Sequence, residues 1–85
     1  MPRMSYVSGR FNRHSLAAVH IEDRGYQFAD AIYEVIAIVR GRMIDEELHF
    51  ERLERSLRGI RMELPFSAAV FRIKVAELLR LNRVS

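Results

Sequence analysis

Residues 32–39 alternate along the chain in a way that predicts a strand. Ile32, Glu34, Ile36 and Ile38 fall on one face, and Tyr33, Val35, Ala37 and Val39 on the other. The run is rich in β-branched side chains, which suit a pleated surface. Both faces are largely apolar, so the strand is expected to be central and covered on both sides. Before it, Tyr6-Val7-Ser8-Gly9-Arg10-Phe11 reads as a hairpin around a Ser-Gly turn. Residues 16–21 form another strand-compatible stretch, punctuated by Asp23-Arg24-Gly25, and residues 26–31 suit a turn or one short helical turn. After it, Arg40-Gly41 turns the chain into Arg42-Met43-Ile44, a second hairpin.

The period then changes. Phe50, Leu53, Leu57 and Ile60 recur at helical spacing, behind Asp45 as a candidate carboxylate cap and with Glu46 and Glu47 in the first turn. Gly59 weakens or ends that helix. Leu64-Pro65-Phe66 breaks the chain, Ser67 is placed to cap a second helix, and Phe71, Val75, Leu78 and Leu79 form its apolar stripe. The predicted fold is α+β, an antiparallel, hairpin-rich sheet packed by two helices on one face.

Eighty-five residues suffice for one small domain. The chain is 49% hydrophobic and 29% charged, a globular rather than disordered composition. It has no cysteine, so disulfides and cysteine-ligated metal centres are excluded. No apolar run approaches the roughly 20 residues that span a bilayer, the start does not resemble a signal peptide, and the cytoplasm is the expected compartment. The net charge of +3 raises the question of nucleic acid. Acids and bases alternate closely over residues 45–61, however, as on a solvated helix face, and nucleic acid is not an expected partner.

Candidate chemistry centres on Arg52. Arg55 and Arg58 each have a glutamate four residues earlier, Glu51 and Glu54, and are expected to pair with it. Arg52 has Leu48 and Ser56 at those positions, so its own helix gives it no carboxylate. Either another element supplies one, or the planar guanidinium meets an external anion such as phosphate. Tyr33 brings a phenol, as a core aromatic or as a hydrogen-bonding group at a site. Glu34 points to the opposite face among isoleucines, where a carboxylate needs a partner, Arg24 or another base. His49 lies one turn before Arg52. With His14 and His20 also isolated, no metal site is expected. Asp23, Arg24 and Gly25 are read as turn-makers. Lys74, the only lysine, sits beside Arg72 between Ile73 and Val75 and receives no catalytic role.

Residues 21–35, IEDRGYQFADAIYEV, and 47–57, ELHFERLERSL, resemble the N-terminal small domain of the class IV (fold-type IV) pyridoxal-phosphate aminotransferases, especially the D-amino-acid transaminases. The likeness runs in layout from about residue 6 to residue 83. It implies that Arg52 holds the 5′-phosphate of pyridoxal phosphate (PLP), that Tyr33 lines the substrate side, and that His49 supports the site from behind; Glu34, from its own place on the strand, is read as structural or as a support behind the site. It also implies a homodimer acting on an amino acid, a D-amino acid by preference, and a 2-oxo acid. In that family the lysine that carries the cofactor lies far downstream in a large domain. The 85 residues are therefore expected to be the small domain, cut before its last strands and inactive alone. Ala31 departs from the glycine common there, and its methyl group is expected to crowd the backbone near the site. The alternatives are a branched-chain aminotransferase or an aminodeoxychorismate lyase-like enzyme. A non-catalytic nucleic-acid-binding or assembly module is the reading from another class.

Overall fold

The computed structural model describes residues 3–84. Strands β1 (Met4–Val7) and β2 (Arg10–Arg13) form the predicted first hairpin, with Tyr6 opposite Phe11. Their rings meet edge to face at 4.9 Å. Ser8 and Gly9 both take positive φ, 52° and 81°, as the tight turn demands. The second hairpin pairs β3 (Ile38–Val39) with β4 (Arg42–Met43), again through two positive-φ residues, Arg40 and Gly41. The helices are α1 (Arg24–Phe28), α2 (Glu46–Gly59) and α3 (Ala68–Leu81).

The core lies between α2 and α3. Phe50 is the one buried apolar side chain among the described residues, and even it keeps 9% of its surface exposed. Its ring meets Phe71 at 5.5 Å, and Phe71 meets Phe66 at 5.8 Å. Leu53, Leu57 and Ile60 continue the half-buried stripe of α2, as their spacing predicts. Ser67 caps α3 by accepting from the Val70 amide at 3.3 Å. At the far end of α3, Asn82 holds the first hairpin. Its side chain accepts from the Met4 amide at 2.8 Å and donates to the Met4 carbonyl at 3.0 Å, replacing a strand partner on that edge of β1. Lys74 lies over the Tyr6 and Phe11 rings at 5.7 and 5.9 Å, which occupies it in holding helix to hairpin.

Four expectations are corrected. The sheet is two separate two-stranded sheets. The strand expected over residues 32–39 is paired only at Ile38–Val39, although burial still alternates along the run, with Ile32, Glu34, Ile36 and Ile38 turned inward. Its other face is open, and Tyr33 and Val35 are 84% and 75% exposed. The alternation follows from packing one face on the helices, whereas a paired strand also needs a neighbour on its edge. Residues 16–21 form no strand. A 3₁₀ turn, His14–Leu16, precedes irregular chain, and Leu16, Val19 and Ile21 lie exposed with nothing to bury them. Asp45 enters α2 in the left-handed region at φ 54° and makes no side-chain cap; its carbonyl accepts from the His49 amide instead. The radius of gyration is 13.8 Å and the thinnest dimension 18 Å. A compact domain of this length has a radius of about 12 Å, so the molecule is a flat, two-layer plate with one side uncovered.

The anticipated pairs of Arg55 with Glu51 and Arg58 with Glu54 are not among the ion pairs of the described residues; two of the pairs that do form join Arg72 to Glu46 and Arg80 to Glu77. The first of these ties α3 to the start of α2. Ala31 does not have the positive φ for which glycine is wanted. Ala29 does, at φ 57°, where it ends α1. An L-residue there is strained by about 1–2 kcal/mol, partly offset by the entropy glycine would lose on folding. Ala29→Gly is therefore expected to stabilise the protein by about 0.5–1 kcal/mol in denaturant unfolding; a destabilised variant would contradict this conformation.

Candidate functional site

Strand-like alternation turns Glu34 inward toward α2, and helical spacing sets His49 and Arg52 one turn apart to meet it. The carboxylate receives Arg52 in a two-pronged ion pair, Nε to Oε2 at 2.8 Å and Nη2 to Oε1 at 2.8 Å. His49 Nδ1 lies 2.7 Å from the same Oε1. Glu34 is 10% exposed and His49 18%, while the Arg52 side chain is 57% exposed. The cluster is thus anchored from beneath and open at the guanidinium. Of the five N–H donors of arginine, Glu34 takes Nε–H and one from Nη2. Among the described residues, three donors, both on Nη1 and the second on Nη2, are left along the outer edge.

Hydrogen bonds from Arg52, then from His49, hold the Glu34 carboxyl down to about 2, against the opposing effect of burial. The same bond, with the carboxylate's charge, raises the Arg52 pKa above its already high value. A carboxyl depressed on folding contributes stability above its unfolded value, and that contribution is lost as pH falls through the folded value. The Glu34 contribution should accordingly be whole above about pH 4.5 and disappear toward about pH 2. Thermal melts across this interval should show a shallower acid loss for Glu34→Gln than for the wild type; parallel curves would contradict the assignment.

The other candidates lie apart from this trio. Tyr33 stands on the opposite, exposed face of its segment, so the structure does not bring it against Arg52. Arg24, the named candidate partner of Glu34, pairs instead with Asp30 at 2.7 Å and covers the Phe28 ring at 4.8 Å. Asp23 accepts from the Gly25 amide at 3.0 Å, the turn-making role expected of it. A Cβ on Gly25 would come within 2.9 Å of that carboxylate oxygen. His14 meets the Ser5 hydroxyl at 3.0 Å, and the ring of His20 accepts from the Glu22 amide. Among the described residues no group of three His, Asp or Glu is placed to hold a metal, and no helix is long and apolar enough to cross a membrane. A cleft of about 570 Å³ lies between the Asp23 turn and the end of α2, lined by Arg24, Asp30, Leu57 and Arg61 among others. None of Tyr33, Glu34, His49 and Arg52 lines it. It is an open notch holding the Arg24–Asp30 pair, and the charged trio is the better-built arrangement.

Sequence reasoning gave Arg52 either a carboxylate from another element or an external anion, gave Glu34 Arg24 or another base, and did not pair the two with each other. The available signal was that the inward face of residues 32–39 must pack on a helix, and Arg52 flanks the apolar stripe of α2.

An α+β segment with this acid–Arg–Gly turn, this tyrosine–glutamate pair and this His-x-x-Arg helix is the segment suspected from the sequence, and the comparisons agree. No protein-family model matches the chain. It is 42% identical over 76 residues to a D-alanine aminotransferase of Bacillus licheniformis, covering 89% of this chain and 27% of that protein. It is 37% identical over 79 residues to that of Staphylococcus haemolyticus, covering 93% and 28%. It is 33% identical over 79 residues to that of Listeria innocua, covering 93% and 27%. Over about nine-tenths of its length the chain is thus similar to class IV aminotransferases. The relatives named here are D-alanine aminotransferases, and the match falls on their N-terminal part. The chain spans about a quarter of the length of these curated relatives. The matches do not favour the branched-chain, lyase-like or nucleic-acid alternatives.

Proposed function

We propose that this chain forms the N-terminal small domain of a PLP-dependent aminotransferase that moves an amino group between a D-amino acid and a 2-oxo acid. The observation that carries the reading is the Arg52 guanidinium, fixed along one edge by Glu34 and free along the other. A planar cation with three unused donors suits the oxygens of a phosphate monoester, so these residues fit the 5′-phosphate of PLP. Arg52 would hold that phosphate, Glu34 would set the plane of the guanidinium, and His49 would steady Glu34. When bound, PLP supplies an electron sink for proton loss at the substrate's α-carbon. Tyr33 would offer its hydroxyl to the substrate carboxylate from the exposed face.

The lysine this chemistry needs is not Lys74, whose ammonium is engaged over two rings of the first hairpin. It belongs to a large domain following the small one. The exposed Tyr33, Val35 and Ile21 suit burial against such a domain or a second copy, and the reading includes a cytoplasmic homodimer. The names of the relatives support the D-amino acid as donor.

The test is a polypeptide carrying these residues and extended to the length of the relatives. Purified with PLP, it is expected to be yellow and to form D-glutamate and pyruvate from 2-oxoglutarate and D-alanine. A colourless protein that leaves both substrates unchanged would contradict the proposal.

A further inference from the structure

Tyr33 lies on a stretch of chain with few ties of its own. Among the described residues, residues 32–36 make no backbone hydrogen bond, and strand pairing begins only at Ile38. An extended segment without ladder bonds is placed by its anchors on either side. The anchor just after Tyr33 is Glu34, through its two-pronged bond to Arg52. The anchor before it is Asp30, whose Oδ2 accepts from Arg24 Nε at 2.7 Å. The Arg24 guanidinium also covers the Phe28 ring at 4.8 Å. One side chain thus spans α1 from its first residue to the chain beyond its end. The backbone runs the same way, with the Asp30 amide donating to the Arg24 carbonyl at 3.4 Å. Residues 30 and 31 pack directly on the start of α1: the position a Cβ would take on Gly25 is 3.5 Å from the Ala31 Cβ and 3.7 Å from the Asp30 carbonyl oxygen.

We propose that Arg24, acting through Asp30, is a positioning residue for Tyr33: the loop it ties together sets how residues 31–33 leave α1, and so holds the phenol where the substrate carboxylate meets it. This rests on the role given to Tyr33 above. Arg24 touches no reacting group itself. The size of its effect is bounded by exposure, since an ion pair in water is weak. With the ring contact added, it favours the ordered loop by about three- to tenfold. A substrate that binds only the ordered loop then loses apparent affinity when the pair is removed. Saturating substrate restores the ordered loop, so turnover at saturation is unchanged. PLP is held from the other side of Tyr33, by Arg52 on Glu34, and is unaffected.

The experiment uses the polypeptide extended to the relatives' length. Arg24→Ala and Asp30→Ala are each expected to raise KM for D-alanine about threefold, with kcat and PLP affinity within about 1.5-fold of the wild type. Arg24→Lys keeps the ion pair and should recover most of the loss. Arg80→Ala removes an equally exposed pair, with Glu77 on α3, and should leave KM unchanged. The 85-residue chain supplies a readout that needs no activity. The NMR order parameter of the Tyr33 amide should fall in Arg24→Ala from the rigid range, about 0.85, toward about 0.6, while the amides of α2 keep theirs. Should Arg24→Ala fail to fold, Asp30→Ala gives the same two readings. An unchanged KM in an active variant, or a Tyr33 amide as ordered as the wild type's, would overturn the inference. An extended wild type without transaminase activity would overturn the functional reading instead, and the Tyr33 amide would still decide whether Arg24 positions it.

Discussion

Phe50→Ala is expected to abolish cooperative unfolding. Phe50 is the buried centre of the described structure, packed edge to face on Phe71, which in turn meets Phe66. Truncating a buried phenylalanine costs about 3–5 kcal/mol through lost burial and the cavity left behind. A domain of this size has a total stability of about 4–13 kcal/mol. Here that total sits toward the low end, because the plate has one packed seam and a large uncovered face. Circular dichroism on heating should show a broad, shallow transition for Phe50→Ala where the wild type shows a step. A variant melting within a few degrees of the wild type would mean that the α2–α3 seam is not where the stability resides.

The second large effect concerns Arg52 in the polypeptide extended to the relatives' length. Charge-assisted hydrogen bonds to phosphate contribute more than neutral ones, and removing them with Arg52→Ala is expected to weaken PLP binding by about 10- to 100-fold. Arg52→Lys should recover part of the loss, since an ammonium keeps the charge but not the fork. Glu34→Gln should weaken binding less than Arg52→Ala, because the cation remains and only its orientation is loosened. Absorbance titration of the cofactor-free enzyme with PLP measures all three. An Arg52→Ala enzyme within twofold of the wild type would remove the phosphate role.

How legible these features were depends on whether the cause is local. Both hairpins follow from two-residue turns with glycine second, and the two long helices, α2 and α3, follow from 3.6-residue stripes; all were visible in the sequence. The inward set of residues 32–39 was visible too, because alternation is a property of the chain itself. Its pairing was not, since hydrogen bonds along an edge require another strand that alternation does not identify. The Asp45 cap failed for a related reason: residue type suits it to a cap, but the hairpin delivers it to α2 in a left-handed conformation. At the site, the in-helix isolation of Arg52 and the stranded charge of Glu34 were each read correctly. Their union depends on how the segment packs across α2, which spacing within either element does not encode. Tyr33 was placed on the face opposite Glu34 by the same alternation, and the structure keeps it there.

The central claim is that Arg52 grips a phosphate with one edge while Glu34 holds the other. A crystal structure of the extended polypeptide with PLP bound tests it most directly. Phosphate oxygens are expected within hydrogen-bonding distance of Nη1 and Nη2 of Arg52, with Nε still on Glu34. A phosphate held by other groups, with Arg52 turned to solvent, would contradict it.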